Sequence, residues 1–205
     1  MSRGLNLGGR ESRLLYLAIA LVTVWCVSLP ARVAAQTDRV DFEAAARAAP
    51  RLRPAAFPEL PASFAAALQA SGCTVPQYRF EGDTLGNNVI SGEFARAGQL
   101  DHAALCSRDG QTSVVVIWGG PARCADTVKP GLDVDAMVGA GDEIVYTRQV
   151  RRVARREAEN YAWLRAGGLA DIGHDGILHS VGEYQTSFLY CRGGAWIEIE
   201  PEATT

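Results

Sequence analysis

The first 35 residues constrain this chain most, because they decide in which compartment it folds. Three arginines within the first 13 residues give a positively charged start, and the apolar run Leu14–Leu29 follows. Small residues end the stretch at Ala35, directly before Gln36. This order is typical of a secretory signal peptide, and it predicts cleavage between Ala35 and Gln36. The remaining chain would then fold in the periplasm or outside the cell, where disulfides form.

The alternative interpretation of this leader is a retained membrane anchor. The apolar run has 16 residues, whereas a membrane-spanning helix needs about 20. Pro30 and Arg32 interrupt the apolar pattern just before the small residues. A lipoprotein is disfavoured too, because bulky Trp25 stands before Cys26, where a lipobox needs a small residue. We therefore predict no stable membrane span once the leader is removed.

Length and charge limit what the remaining chain can be. Of 205 residues, 170 remain after the leader, and the formal charge changes from −3 to −6. An acidic exported chain is a poor candidate for nucleic-acid binding, which needs a basic surface. We predict a signal peptide over residues 1–35, a Pro/Ala-rich linker or appendage over 36–56 and a single domain over 57–205.

Four cysteines follow the leader: Cys73, Cys106, Cys124 and Cys191. An even number in an exported chain indicates disulfides, and three pairings are possible. None of the spacings is CxxC, which disfavours a redox motif, and a four-cysteine zinc site usually includes a close pair. We favour Cys73–Cys106, tying a helix to a strand, and Cys124–Cys191, tying a loop to the penultimate strand. Each bond would add roughly 2–4 kcal/mol of stability.

The strong helix formers Ala and Glu predict a short helix at Asp41–Ala49. Start and stop residues predict a second helix at Pro61–Ala70, and an apolar stripe predicts a third at Arg151–Leu164. Alternating and β-branched segments predict strands in two groups, with a loop over residues 119–141 between them. This order indicates an α+β fold, an antiparallel sheet of two β-meanders with one or two helices packed on a face, stabilised by disulfides. The predicted strands are Asn88–Phe94, His102–Ser107, Ser113–Trp118, Glu143–Thr147, Gly176–Val181, Tyr184–Cys191 and Ala195–Glu200.

Several short motifs stand out along the chain. They are GCTVPQ (residues 72–77), NVISGEF (88–94), GQLD (98–101), LCS (105–107), HDGI (174–177) and GGAW (193–196). In this combination, over about Phe57 to Ile199, the chain resembles a group of uncharacterised exported bacterial proteins. The resemblance implies no activity, and it supports pairing Cys73 with Cys106. The chain departs from the group at His102 and Ala103, where an aromatic residue is expected.

His174-Asp175 is the most suggestive catalytic pair, because a carboxylate near an imidazole can tune a base. The plainer interpretation is a turn entering the strand at Ile177, and we favour it. A zinc site from His102, His174 and an aspartate would need three distant segments to meet, so we predict no metal or cofactor.

The serine-hydrolase elbow GxSxG and the phosphate-binding patterns GxGxxG and GxxxxGK do not occur.

Arg151, Arg152, Arg155 and Arg156 form the main charge cluster, next to Arg148. The cluster is a candidate site for an anionic envelope component, such as a lipid headgroup or a polysaccharide phosphate. The alternative is a solvated surface.

From the leader, the cysteines and the missing catalytic motifs, we predict a non-enzymatic binding or inhibitor-type module of the cell envelope. The alternative is a small secreted hydrolase with an acidic or His-Asp site.

Overall fold

Two four-stranded antiparallel sheets lie at the centre of this chain, and each is a β-meander. The computed structural model describes residues 42–79, 86–169, 171–182 and 185–201. The predicted signal peptide lies outside the described residues. In chain order the elements are α1 (42–48), β1 (Arg51–Leu52), a 3₁₀ turn (Pro54–Ala56), α2 (Ala62–Ala70), β2 (Val75–Pro76), β3 (Val89–Gly92), β4 (Asp101–Arg108), β5 (Gln111–Ile117), β6 (Thr127–Leu132), a second 3₁₀ turn (Val134–Ala136), β7 (Met137–Ala140), β8 (Glu143–Tyr146), β9 (Arg148–Val153), α3 (Arg155–Ala158), α4 (Ala162–Ala166), β10 (Gly176–Val181), β11 (Gln185–Arg192) and β12 (Ala195–Ile199).

The predicted α+β fold is confirmed, with one refinement: each meander forms its own sheet. The first sheet has the order β3-β4-β5-β6 and the second β12-β11-β10-β9. Two small antiparallel pairs, β1–β2 and β7–β8, complete the strands that the structure describes. Every strand of these two sheets pairs with its neighbour in sequence. Tight turns join β4 to β5 and β11 to β12, whereas residues 154–175, with α3 and α4, connect β9 to β10.

The two sheets face each other and helices cover their outer faces. Strand residues alternate between faces, so Leu105 points into the core between the sheets while Ala104 points toward α2. Val150 and Leu189 of the second sheet meet Leu105 in the inner core. The opposite face of that sheet, which includes Phe188, packs against α3 and α4. The four layers are therefore helix, sheet, sheet and helix.

The structure pairs Cys73 with Cys106 and Cys124 with Cys191, as we favoured from the sequence. Their Cα atoms lie 5.2 Å and 5.8 Å apart. The first bond ties the end of α2 to β4, and the second ties the loop after β5 to β11. Each disulfide therefore joins a connecting segment to a central strand.

Residues 42–56 belong to the stretch that we interpreted as a linker or appendage. They pack against the strands and helices that follow them in the chain. Ala46 of α1 is buried against Met137 and Tyr146 of the β7–β8 hairpin. Strand β1 pairs with β2, and Leu52 contacts the core beneath α2. Among the described residues, none of the helices is long and apolar enough to cross a membrane.

The helix predicted over Arg151–Leu164 is wrong. Residues 151–153 continue β9, which pairs along its whole length with β10. Helical structure begins only at Arg155 and is broken around Tyr161, whose backbone is extended. Sheet pairing with a strand more than 20 residues away overrides the local helix propensity of this arginine- and alanine-rich segment. The predicted loop over 119–141 likewise contains β6 and β7.

Candidate functional site

The four clustered arginines lie on two elements, with Arg151 and Arg152 on β9 and Arg155 and Arg156 on α3. Three of them form ion pairs. Among the described residues Arg156 has no such partner, and it is exposed. The cluster therefore offers less unpaired charge than its sequence indicates. The pairs are Arg151–Glu157 at 2.7 Å, Arg152–Asp175 at 3.3 Å and Arg155–Glu159 at 3.1 Å.

The hydrogen bond from Arg151 acts on both partners of the first pair. It lowers the pKa of Glu157 and raises the pKa of Arg151. Tyr161 joins this pair, because its hydroxyl donates to Glu157 at 2.7 Å. These contacts connect β9 to α3 and to the start of α4, so Arg151 organises local structure.

His174 is buried and its ring is fully engaged by the protein. The ring stacks on Tyr190 with centroids 4.1 Å apart. Nδ1 lies 2.8 Å from the carbonyl oxygen of Asp175 and Nε2 lies 2.9 Å from that of Cys191. A neutral imidazole has one N–H and can donate to only one of these oxygens. Both nitrogens therefore face backbone carbonyl oxygens.

Asp175 is buried and joins three separate segments. Its carboxylate accepts hydrogen bonds from the backbone N–H of Glu93 (3.2 Å) and of Arg155 (3.0 Å), and it pairs with Arg152. The bond to Arg155 caps the first turn of α3. The side chains of His174 and Asp175 thus point to different partners, and the pair has the contacts of a structural junction.

Two amides from the sequence motifs act as buried connectors. Gln77 donates to the carbonyl of Val75 (2.9 Å) and accepts from the N–H of Gly86 (2.6 Å). Asn88 donates to the carbonyl of Arg148 (3.1 Å) and accepts from the N–H of Val150 (3.0 Å), which joins β3 to β9. Asn88 has φ of 70°, a conformation that asparagine tolerates better than most residues.

Asp101, of the GQLD motif, is completely buried and accepts four hydrogen bonds. Oδ2 accepts from the backbone N–H groups of Phe94 (3.0 Å) and Ala95 (3.1 Å). Oδ1 accepts from Gly119 N–H (2.9 Å) and from the amide of Gln99 (2.8 Å). One carboxylate therefore fixes the turn before β4 and the chain leaving β5.

Arg148 bridges the two sheets from the inner face of β9. Its Nε donates to His179 Nε2 on β10 at 2.9 Å, and its Nη1 donates to the carbonyl of Thr112 on β5 at 3.0 Å. Its Nη2 donates to the carbonyl of Lys129 on β6. The β5–β6 register shifts between Thr112 and Val114, and this irregularity coincides with the carbonyl that Arg148 uses.

Burial lowers the pKa of His179 to about 3, with further lowering by the positive charges of Arg148 and Lys129. The ring is therefore neutral at pH 7 and accepts the Arg148 hydrogen bond. Between pH 6.5 and about 3 the unfolded chain binds a proton at His179 that the folded chain does not bind. The free energy of unfolding consequently falls as the pH is lowered through this window.

A His179→Gln variant tests whether His179 causes this loss of stability at low pH. The glutamine amide oxygen can still accept the hydrogen bond from Arg148, but the side chain does not bind a proton in this pH range. We expect its stability at pH 7 to stay near wild type and its loss on acidification to be smaller, by up to about 1.4 kcal/mol per pH unit. His179→Leu removes the acceptor and should cost about 1–3 kcal/mol at pH 7. Urea denaturation between pH 7 and pH 4 measures both effects. Parallel pH profiles for wild type and His179→Gln would contradict the assignment.

A cleft of about 660 Å³ opens beside α1, the turn joining β4 to β5, and the segment that follows β6. Gly72 and Thr74 of the GCTVPQ motif and Ser107 of the LCS motif line it. The sequence did not indicate a cleft there, because its lining comes from four separated segments. The lining residues are Glu43, Ala46, Arg47, Arg51, Gly72, Thr74, Ser107, Arg108, Asp109, Gly110, Leu132, Asp133 and Val134.

The cleft floor consists of Arg51, Ser107 and Asp133, with Thr112 behind them. Asp133 is 2% exposed, and its Oδ2 accepts from Ser107 Oγ (2.5 Å) and from Arg51 Nη2 (2.8 Å). Thr112 donates to the other carboxylate oxygen. Tyr146 extends the network to Thr112, and burial raises the pKa of this phenol to about 12. Every polar side chain of the floor is therefore bonded to another.

Arg51 also fixes α1 above this floor. Its guanidinium donates to the carbonyl oxygens of Ala46 (2.7 Å) and Ala49 (2.9 Å), at the C-terminal end of the helix. A cation at this end satisfies carbonyl groups that have no partner within the helix. One side chain thus holds α1, β1 and the segment after β6 in their relative positions.

The cleft rim consists of Glu43, Arg47, Arg108 and Asp109, all exposed. Arg47 and Glu43 are 4.0 Å apart, a loose contact one helical turn along α1. Arg108 donates one hydrogen bond, to the carbonyl of Ser71 at 3.2 Å. A guanidinium has five N–H donors, so Arg47 and Arg108 retain donors toward the cleft. The floor is committed to the protein, whereas the rim can meet a ligand.

Ser107 beside Asp133 has the composition of a nucleophile with a base. However, Ser107 is 3% exposed, so attack on a ligand in the cleft would require the floor network to open.

Metal binding has no support from the described residues. Within residues 42–79, 86–169, 171–182 and 185–201, no group of three or more His, Cys, Asp or Glu side chains could hold a metal ion. His102 bonds to Ser91 Oγ at 2.8 Å, and burial lowers its pKa.

Comparison of the chain with protein-family models, with curated proteins and with solved structures gave no match.

Proposed function

We propose that this chain is a non-enzymatic binding module of the cell envelope, and that the cleft beside α1 is its ligand site. The observation that carries the proposal is the division of the cleft into a bonded floor and an exposed, charged rim. A floor whose polar groups satisfy one another is rigid, and it leaves the rim groups to recognise a ligand. An envelope protein is the partner class that we favour.

The alternative function, a small secreted hydrolase, has less support from the geometry. A His-Asp site needs a ring nitrogen that can reach a substrate. Both ring nitrogens of His174 instead lie within 2.9 Å of backbone carbonyl oxygens, and the Asp175 carboxylate accepts from two backbone N–H groups. In the cleft, the Ser107 hydroxyl is buried and bonded to Asp133.

A second candidate is an anionic envelope component bound at the arginine cluster. Arg156 favours it, because this guanidinium is exposed and forms no ion pair with any residue that the structure describes. The ion pairs of Arg151, Arg152 and Arg155 weaken it, since an incoming anion would have to compete with carboxylates already in place.

Native capture of the exported protein tests both sites at once. The tagged chain would be produced from its own leader, cross-linked and purified, and its partners identified by mass spectrometry. The rim variant Arg47→Gln with Arg108→Gln is compared with a cluster variant in which Arg151, Arg152, Arg155 and Arg156 are all glutamine. Arg123→Gln, at an exposed arginine outside both sites, is the matched control.

We expect a stoichiometric partner that wild type, the cluster variant and the control all capture, and whose recovery falls about tenfold in the rim variant. Loss of envelope association in the cluster variant alone would favour the anionic component. Capture that neither variant changes would contradict both sites. N-terminal sequencing of the purified chain also tests the leader, because a mature terminus before residue 30 would contradict cleavage near Gln36.

A further inference from the structure

The charges of the cleft rim point to the kind of ligand that fits. Arg51 and Asp133 neutralise each other in the floor. The rim then contributes two guanidiniums, from Arg47 and Arg108, and two carboxylates, from Glu43 and Asp109. This balance does not favour a simple anion, which the carboxylates would repel. It fits a ligand that carries both signs of charge.

The cleft also offers an apolar surface between its charges. Leu132 is 48% exposed, one of the few large apolar side chains with this exposure in the described chain, and it lines the cleft. Ala46 and Val134 lie in the same lining. A partly apolar cleft of about 660 Å³ lies within the range of small-ligand sites, roughly 300–1,000 Å³.

We propose that the cleft binds a short free peptide, whose N-terminus carries an ammonium and whose C-terminus carries a carboxylate, with an apolar side chain of the peptide on Leu132. In this arrangement Arg47 and Arg108 bind the carboxylate, because guanidinium donors match its geometry. Glu43 and Asp109 bind the ammonium. This inference rests on the proposed binding function and assigns a second kind of ligand to the same site, a free peptide in addition to the envelope protein favoured above.

The test uses the tripeptide Ala-Leu-Ala in four forms: with both ends free, N-acetylated, C-amidated and blocked at both ends. Each is titrated into the purified, isotopically labelled chain at low salt, and binding is followed by amide chemical shifts. We expect shifts at the cleft residues, a weakening of about tenfold when both ends are blocked, and a further weakening when salt is added.

Two rim variants assign the ends of the peptide. Arg47→Gln with Arg108→Gln should bind the free and amidated peptides equally, and Glu43→Gln with Asp109→Asn should bind the free and acetylated peptides equally. The control Arg123→Gln should behave as wild type. Denaturation curves confirm that each variant is folded, which is expected because these side chains are exposed.

The outcomes separate this inference from the function on which it rests. Equal affinity for the free and doubly blocked peptides, shifts away from the cleft, or no binding at all would overturn the peptide inference. If partner capture still depended on Arg47 and Arg108 in that case, the binding function would stand with a different ligand. If capture were also independent of the rim, the proposed function would fail as well.

Discussion

Replacing Asp101 by alanine is expected to lower the free energy of unfolding by about 4 kcal/mol or more. The change removes the acceptor of four N–H donors, and those of buried Phe94 and Gln99 each cost about 1–3 kcal/mol when left without a partner. The carboxylate accepts from Phe94, Ala95, Gly119 and Gln99, and it is completely buried. The cavity left by the side chain adds to the loss. Urea unfolding monitored by tryptophan fluorescence measures the change.

Asp101→Asn separates the effect of the lost hydrogen bonds from the effect of lost side-chain volume, because asparagine has nearly the same shape as aspartate. Each carboxylate oxygen accepts from two donors, so the amide NH₂ faces two N–H groups whichever way it is turned. We therefore expect a large loss of stability from a substitution that preserves shape. Asp142→Asn, at an exposed aspartate in the β7–β8 turn, is the control and should change stability by less than about 0.5 kcal/mol. An Asp101→Asn variant as stable as this control would contradict the assignment.

Arg51→Ala is the second substitution with a large expected effect, about 3–5 kcal/mol, because it leaves the buried Asp133 carboxylate without its cation. It also removes the hydrogen bonds to the carbonyls of Ala46 and Ala49, so α1 should detach locally. Hydrogen exchange of the α1 amides, measured together with the unfolding free energy, distinguishes local detachment from uniform destabilisation.

Arg53→Ala is the matched control for Arg51→Ala, because Arg53 lies two residues away and is exposed. Arg51→Lys keeps the charge but has no planar fork to reach the helix carbonyls and Asp133 together, and we expect an intermediate loss. Combining Arg51→Ala with Asp133→Asn should cost less than the sum of the two single changes, because the charged partner is then removed. Additive losses would show that Arg51 and Asp133 are not coupled.

The central strands were predictable because their side chains carry the pattern of the sheets. Gly176–Val181 was predicted at its observed bounds, and Ser113–Trp118 overlaps β5, Gln111–Ile117. Strand β6 was not predicted, since Pro130 and Gly131 are typical of turns; at an edge of the sheet a proline is tolerated. Residues 151–153, the second half of β9, were predicted as the start of a helix, because only pairing with β10 distinguishes the two structures.

The cleft could not be predicted from the sequence. Arg51 and Asp133 are 82 positions apart and Ser107 lies between them, so no local spacing brings them together. By contrast, the residues that sequence patterns singled out have mostly structural contacts: Asp101 fixes two turns and Asp175 joins three segments. Buried polar connectors and ligand-binding residues are the same residue types, and only burial and partners separate them.

The two disulfides follow one another along the chain without interleaving, and this order affects how the protein can be oxidised. A polypeptide that emerges N-terminus first exposes Cys73 and then Cys106 while Cys124 and Cys191 have yet to appear. An oxidant that joins cysteines in their order of emergence therefore makes the observed bonds directly. Beyond the predicted leader, this chain can reach its native connectivity without any later exchange of disulfide partners.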